Sequence, residues 1–120
     1  MKIAVTAQGE DLKSQVDPRF GRAKCFIVIE PDSGQFTAHS NQLNLDAVQG
    51  AGIQAARAVA QHGVAAVITG NMGPKAFAAL GAANIQVYIG ASGTVAEAVQ
   101  QWKAGTLQPA DKPNVEGHWT

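Results

Sequence analysis

Val64-Ala65-Ala66-Val67-Ile68-Thr69-Gly70-Asn71-Met72-Gly73-Pro74 reads as a strand that empties into a tight turn and then a helix. The first six residues are small or β-branched and mostly apolar, as a strand buried on both faces requires. Gly70 and Gly73 bracket the turn. Pro74 opens the helix at a position where its missing N–H costs nothing. A buried strand running into a helix is the unit from which α/β sheets are built.

The same grammar extends in both directions. Upstream, Val48 to His62 has a helical pattern, with Val48, Gly52, Ala55 and Val59 on one face and Gly63 as the stop. Downstream, the helix from Pro74 ends near Gly81, and Ile85 to Ile89 is another buried strand. After Gly90-Ala91-Ser92-Gly93, Thr94 and Glu97 have the spacing of a capping box. Val95, Ala98, Val99 and Trp102 form the apolar stripe of that helix, which Gly105 ends. Toward the N-terminus, residues 2–7 form a short strand, and Glu10 to Arg22 is a polar loop broken by Pro18 and Gly21. Lys24 to Glu30 is a strongly β-favouring run. Pro31-Asp32-Ser33-Gly34 turns the chain, and Gln35 to His39 returns as the second arm of a hairpin. The predicted architecture is a mixed five-stranded α/β sheet, second strand antiparallel, with three helices. Residues 1–105 form one domain, and 106–120 a loose polar tail.

Composition narrows the function classes. Hydrophobic residues make up 46% and charged residues 15%, which suits a packed core and not a disordered chain. Nine Lys and Arg balance nine Asp and Glu, so no general attraction to nucleic acid or to an acidic membrane follows. The lone Cys25 can neither form an internal disulfide nor supply the four ligands of a structural zinc or protein-ligated iron–sulfur centre. The apolar run at Met1–Ala7 is too short for a signal peptide, and no stretch has the length of a membrane span. The cytoplasm is the expected compartment.

The layout brings loops 8–23, 40–47, 70–74 and 90–94 to the carboxyl edge of the parallel strands, the usual ligand crevice of open α/β sheets. Three helices begin there, each offering N–H groups and partial positive charge to an anion. Lys13, Arg19, Arg22 and Lys24 lie in or beside the first loop with Asp17, and Lys75 opens the second helix. Gly21, Gly52 and Gly73 permit close approach to the backbone. Arg19 and Arg22 can each donate several N–H bonds. Phe20, Met72 and Ile53 are candidates for an apolar wall and equally for the core, and backbone N–H groups from Asn71 to Gly73 are candidates for donors. The pattern points to an anion without saying which; ordinary turn glycines and solvated charges are the competing account.

Val16-Asp17-Pro18-Arg19-Phe20-Gly21-Arg22-Ala23 resembles the Phe-Gly-Arg-Ala segment of the dinitrogenase iron–molybdenum cofactor biosynthesis family. Gly50-Ala51-Gly52 before an alanine-rich helix, Gly63-Val64 before a strand, and Thr69-Gly70-Asn71-Met72-Gly73-Pro74-Lys75-Ala76-Phe77 are similar to that family too. The resemblance spans roughly residues 1–104. It implies a ribonuclease-H-like fold and the binding or carriage of molybdenum- or iron-containing sulfide clusters. A molybdenum–copper sulfide cluster is the first expectation and an iron–molybdenum cofactor precursor the alternative. A cluster donor or acceptor protein is the implied partner. Family members often carry a histidine where Arg19 stands here, so charge pairing is expected from this loop in place of imidazole ligation. The residue reading agrees, since a sulfide cluster brings its own sulfur and a negative charge.

Cys25 is expected to be a buried small hydrophobe, with metal ligation the weaker reading. His39 ends a strand on the loop edge and is a weak ligand candidate. His62 is expected at the opposite edge, where it complements a helix dipole, and His118 lies in the tail. Asp17 is expected to pair with Arg19 or Arg22. The first strand carries no acid, so two-metal nuclease chemistry is not expected. The expected function is therefore non-catalytic. The alternative is a small phosphate- or nucleotide-binding enzyme, although neither a Gly-x-x-x-x-Gly-Lys-Ser/Thr loop nor a Gly-x-Gly-x-x-Gly is present.

Overall fold

The computed structural model describes residues 1–41 and 51–115. Five strands make one mixed sheet: β1 (Ile3–Ala7), β2 (Cys25–Ile29), β3 (Phe36–Ser40), β4 (Ala66–Ile68) and β5 (Gln86–Tyr88). Their spatial order is β3-β2-β1-β4-β5. β2 runs antiparallel to both β1 and β3, whereas β4 lies parallel to β1 and to β5. The described helices are α1 (Ala51–Ala60), α2 (Pro74–Ala82) and α3 (Val95–Lys103). The mixed sheet, its antiparallel second strand and the three helices are as expected. Val48 and Gly50, expected to begin the first helix, lie outside the described residues, as does most of the loop 40–47.

Strand periodicity splits the core into two layers. Ala4, Phe26, Val28, Val67 and Val87 point toward α1 and α2, where Ala55, Val59, Ala76 and Leu80 meet them. Ile3, Val5, Ile27, Ile29 and Ile68 point the other way, against Val95, Ala98 and Val99 of α3. β1 and β2 are buried at every position because helices cover both faces of the sheet. The alanines of α1 and α2 let these helices lie close on the sheet. Gly63 follows α1 with φ +70°, a conformation that L side chains rarely adopt.

One expectation is corrected. Residues 106–115 are not loose. Ala110 N–H donates to the Val87 carbonyl at 2.8 Å, Pro109 bridges Tyr88, and Asn114 reaches the turn before α2. The segment lies along the free edge of β5, where unpaired strand groups accept such a partner.

Candidate functional site

The last residues of β1 hold the first loop in place. Asp17 N–H donates to the Thr6 carbonyl at 2.9 Å, and the Thr6 hydroxyl donates to the Asp17 carbonyl at 2.8 Å. Asp17 itself is 5% exposed. Its carboxylate accepts the N–H groups of Arg19 at 3.1 Å and Lys24 at 3.4 Å. The acid therefore shapes the loop through backbone amides, as short acidic side chains do in turns. Of the two expected partners, Arg19 and Arg22, Arg19 forms no ion pair with Asp17 among the described residues.

The turn after β4 locks onto this loop. Arg19 pairs in parallel with Asn71, Phe20 N–H donates to the Asn71 carbonyl at 3.3 Å, and Asn71 Nδ2 donates to the Pro18 carbonyl at 2.9 Å. A Cβ on Gly70 would stand 2.8 Å from Pro18 Cα, so only glycine allows the two segments this close. The turn after β5 joins them, with Gly90 N–H on the Gly70 carbonyl at 2.9 Å and Val16 N–H on the Gly93 carbonyl at 2.9 Å. Loops 8–23, 70–74 and 90–94 thus converge at the carboxyl edge of the parallel strands.

The side chains named from the sequence separate into two groups. Arg19, Lys24 and Lys75 are exposed, Arg22 and Asn71 are half-buried, and Gly21, Gly52 and Gly73 are buried. Phe20 and Met72 are each 1% exposed and belong to the core beneath α1 and α2. Phe20 packs against Phe26 with ring centroids 5.6 Å apart. They support the loops from below, and neither presents an open apolar wall. The charge picture is narrower than expected as well. Glu10 and Asp11 share the first loop with Asp17, so within residues 8–23 three acids balance the three cations Lys13, Arg19 and Arg22. The exposed cations Arg19 and Lys75 flank the Asn71 turn in sequence and pairing.

The helix N-termini are not equivalent. Thr94 caps α3 in a complete capping box with Glu97. The next two amides are also taken: Val95 N–H donates to the Ser14 carbonyl at 2.9 Å and Ala96 N–H to the Leu12 carbonyl at 3.0 Å. This end has no donors left for a ligand, contrary to the sequence expectation. α2 differs. Gly73 is its N-cap, no side chain caps it, and its first turn holds no acid. Among the described residues no group bonds the Lys75 or Ala76 N–H, while the Met72 N–H just ahead of the helix is taken by Asn114 Oδ1 at 2.8 Å; the positive end of such a helix attracts anions.

Cys25 lies on the α3 face, 4% exposed. Its thiol donates to the Gly9 carbonyl at 2.7 Å. Burial first, and then the Glu10 charge, push the thiol's pKa upward, which disfavours the thiolate a metal would need. His39 turns away from the crevice toward α1 and meets His62, with ring centroids 4.0 Å apart. Both line a cavity of about 610 Å³ with Lys2, Glu30 and Phe36, nearer the opposite edge. Among the described residues no three His, Cys, Asp or Glu side chains are grouped to hold a metal ion. No helix among them is long and apolar enough to cross a membrane.

An open α/β sheet whose loops meet at the carboxyl edge, with glycines at the crossings and an uncapped helix beside loop cations, has the architecture that small ligand-binding α/β domains use. Residues 1–105 match the model of the dinitrogenase iron–molybdenum cofactor family, and the chain belongs to that family. The apo form of the orange protein from Desulfovibrio gigas superposes with a TM-score of 0.93 at 42% identity, covering 95% of this chain and 96% of that one. A putative NifB protein from Thermotoga gives a TM-score of 0.83 at 33% identity, covering 97% and 98%. An uncharacterized protein of Methanocaldococcus jannaschii is 28% identical over 110 residues, 90% of each chain.

Proposed function

We propose that the protein binds, stores or carries an anionic metal–sulfide cluster at the carboxyl edge of the sheet and catalyses no reaction on it. The observation that carries this is the uncapped start of α2, without a first-turn acid, beside the Asn71 turn with which Arg19 is paired. Membership of the cofactor family supports it, as does likeness to a relative described in its apo form. A cluster that brings its own sulfur asks the protein for N–H donors, cations and room at the backbone. Arg19, Arg22, Lys24 and Lys75, with backbone from Gly21 and Gly73, are assigned those roles, and Phe20, Met72 and Gly52 shape the bed beneath. A molybdenum–copper sulfide cluster is the first candidate and an iron–molybdenum cofactor precursor the second. The carrier role implies a donor or acceptor protein. The strand order, with only β2 reversed, is consistent with a ribonuclease-H-like fold.

The test is an absorption spectrum with metal analysis after treatment with tetrathiomolybdate and copper and then desalting. The expected result is a visible sulfide-to-metal band that stays with the protein, with molybdenum and copper in fixed ratio. Replacing both Arg19 and Lys75 by alanine should strip most of that colour without changing the melting temperature. A protein that stays colourless, yet is stabilised by phosphate or nucleotide in a thermal-shift assay, would overturn the cluster assignment. It would favour the phosphate-binding enzyme, because an uncapped helix start serves phosphate equally well.

A further inference from the structure

The segment after residue 105 lies beyond the part of the chain that matches the family, yet at Asn114 it meets the turn assigned to the ligand. Asn114 grips that turn at three points. Its Oδ1 accepts Met72 N–H at 2.8 Å, its N–H donates to the Met72 carbonyl at 3.2 Å, and its Nδ2 donates to Asn71 Oδ1 at 3.0 Å. Asn71 passes the grip on, since its Nδ2 and carbonyl hold Pro18 and Phe20 on either side of Arg19. Farther back, the segment is fixed to β5 by the Ala110 to Val87 bond. Asn114 is itself exposed, so solvent competes for its hydrogen bonds and the grip is releasable.

Met72 N–H is one residue ahead of the α2 N-cap and belongs to the turn that leads into the helix. A carboxamide oxygen is sitting where an acceptor atom of an anion would sit. We propose that residues 106–115 act as a displaceable strap. Asn114 Oδ1 occupies the Met72 N–H in the empty protein, and the incoming anion takes its place and frees the strap. The proposal rests on the reading of this turn as the ligand site. Asn114 acts through Met72 and Asn71 and is a positioning residue.

The experiment compares the full-length protein with its Asn114→Ala variant. Uptake of tetrathiomolybdate with copper, and separately of inorganic phosphate, is titrated on both, and amide hydrogen exchange is followed with and without each anion. Removing the competitor should tighten binding at least about fivefold, since the variant lacks both side-chain bonds the anion must otherwise break and one net hydrogen bond is worth about that factor. Anion binding to the parent should speed exchange at Asn114 and slow it at Met72. A strap that merely braces the site predicts the reverse, weaker binding by the variant and slower exchange at Asn114 on loading, and either result overturns the proposal. Equal binding by the two proteins also overturns it while leaving the cluster assignment standing. Uptake of phosphate but not of the cluster removes that assignment, and the strap is then judged on phosphate. If neither anion binds either protein, both fall.

Discussion

The hydroxyls of Thr6 and Thr69 lie 2.8 Å apart between β1 and β4, and both residues are fully buried. Thr6 spends its only proton on the Asp17 carbonyl, so Thr69 must donate to Thr6. This relay joins the centre of the sheet to the arginine-bearing loop. Thr6→Val keeps the shape and removes the relay, leaving the Asp17 carbonyl with one partner fewer. Denaturant titration should show a loss of about 1–3 kcal/mol. Cluster retention should fall as well, although Thr6 touches no ligand.

Gly70→Ala should act at the same junction from the other side. The added methyl meets the Pro18 backbone at 2.8 Å, and a backbone cannot rotate away as a side chain can. Overpacking of this kind costs about 1–3 kcal/mol. The variant should melt lower, and exchange at the Phe20 amide should quicken. An unchanged Phe20 amide would show that the two loops separate without consequence.

Thr94→Ala separates stability from the site. Losing the cap should cost about 1 kcal/mol by denaturant titration. Cluster retention at a temperature well below melting should not change, because the Ser14 and Leu12 carbonyls still hold the Val95 and Ala96 amides. Reduced retention there would move the ligand toward α3.

His62 sets a pH dependence. Desolvation first, then the nearby His39 and Lys2, hold its pKa below the ordinary 6.5. The unfolded chain therefore takes up the proton more readily. This contribution to stability is complete above pH 6.5 and declines as pH falls through the lowered value of the folded state. Thermal melts between pH 7.5 and 5 should show that decline, and His62→Gln should flatten it. Parallel curves for the two proteins would remove His62 as the cause.

Local signals in the sequence carried through to the structure. Pro74 at the first helical position, Gly63 after α1 and the Thr94–Glu97 box each depend on residues a few positions apart, and each is where the pattern put it. The convergence of three loops followed from strand order alone. What could not be read depends on distant partners. Leu12 and Ser14 carbonyls fill the α3 start, and nothing in Val95 or Ala96 announces it. Phe20 and Met72 sit among glycines and charges in the sequence, where wall and core were equally open readings; the core between sheet and helices took both. His39 was placed by its strand position, but alternation sends its ring to the α1 face and to His62. The proline-bearing tail looked unanchored because Asn114 finds its partners forty-odd positions upstream.

At Val95 and Ala96 the seal over α3 is made by main-chain carbonyls, which no replacement of the Leu12 or Ser14 side chain removes. Drift at Leu12 and Ser14 leaves that end closed as long as the loop keeps its path. On the proposed function, the direction from which a ligand would approach is inherited with the backbone, while Arg19 and Lys75 on the α2 side would be free to change with the cargo.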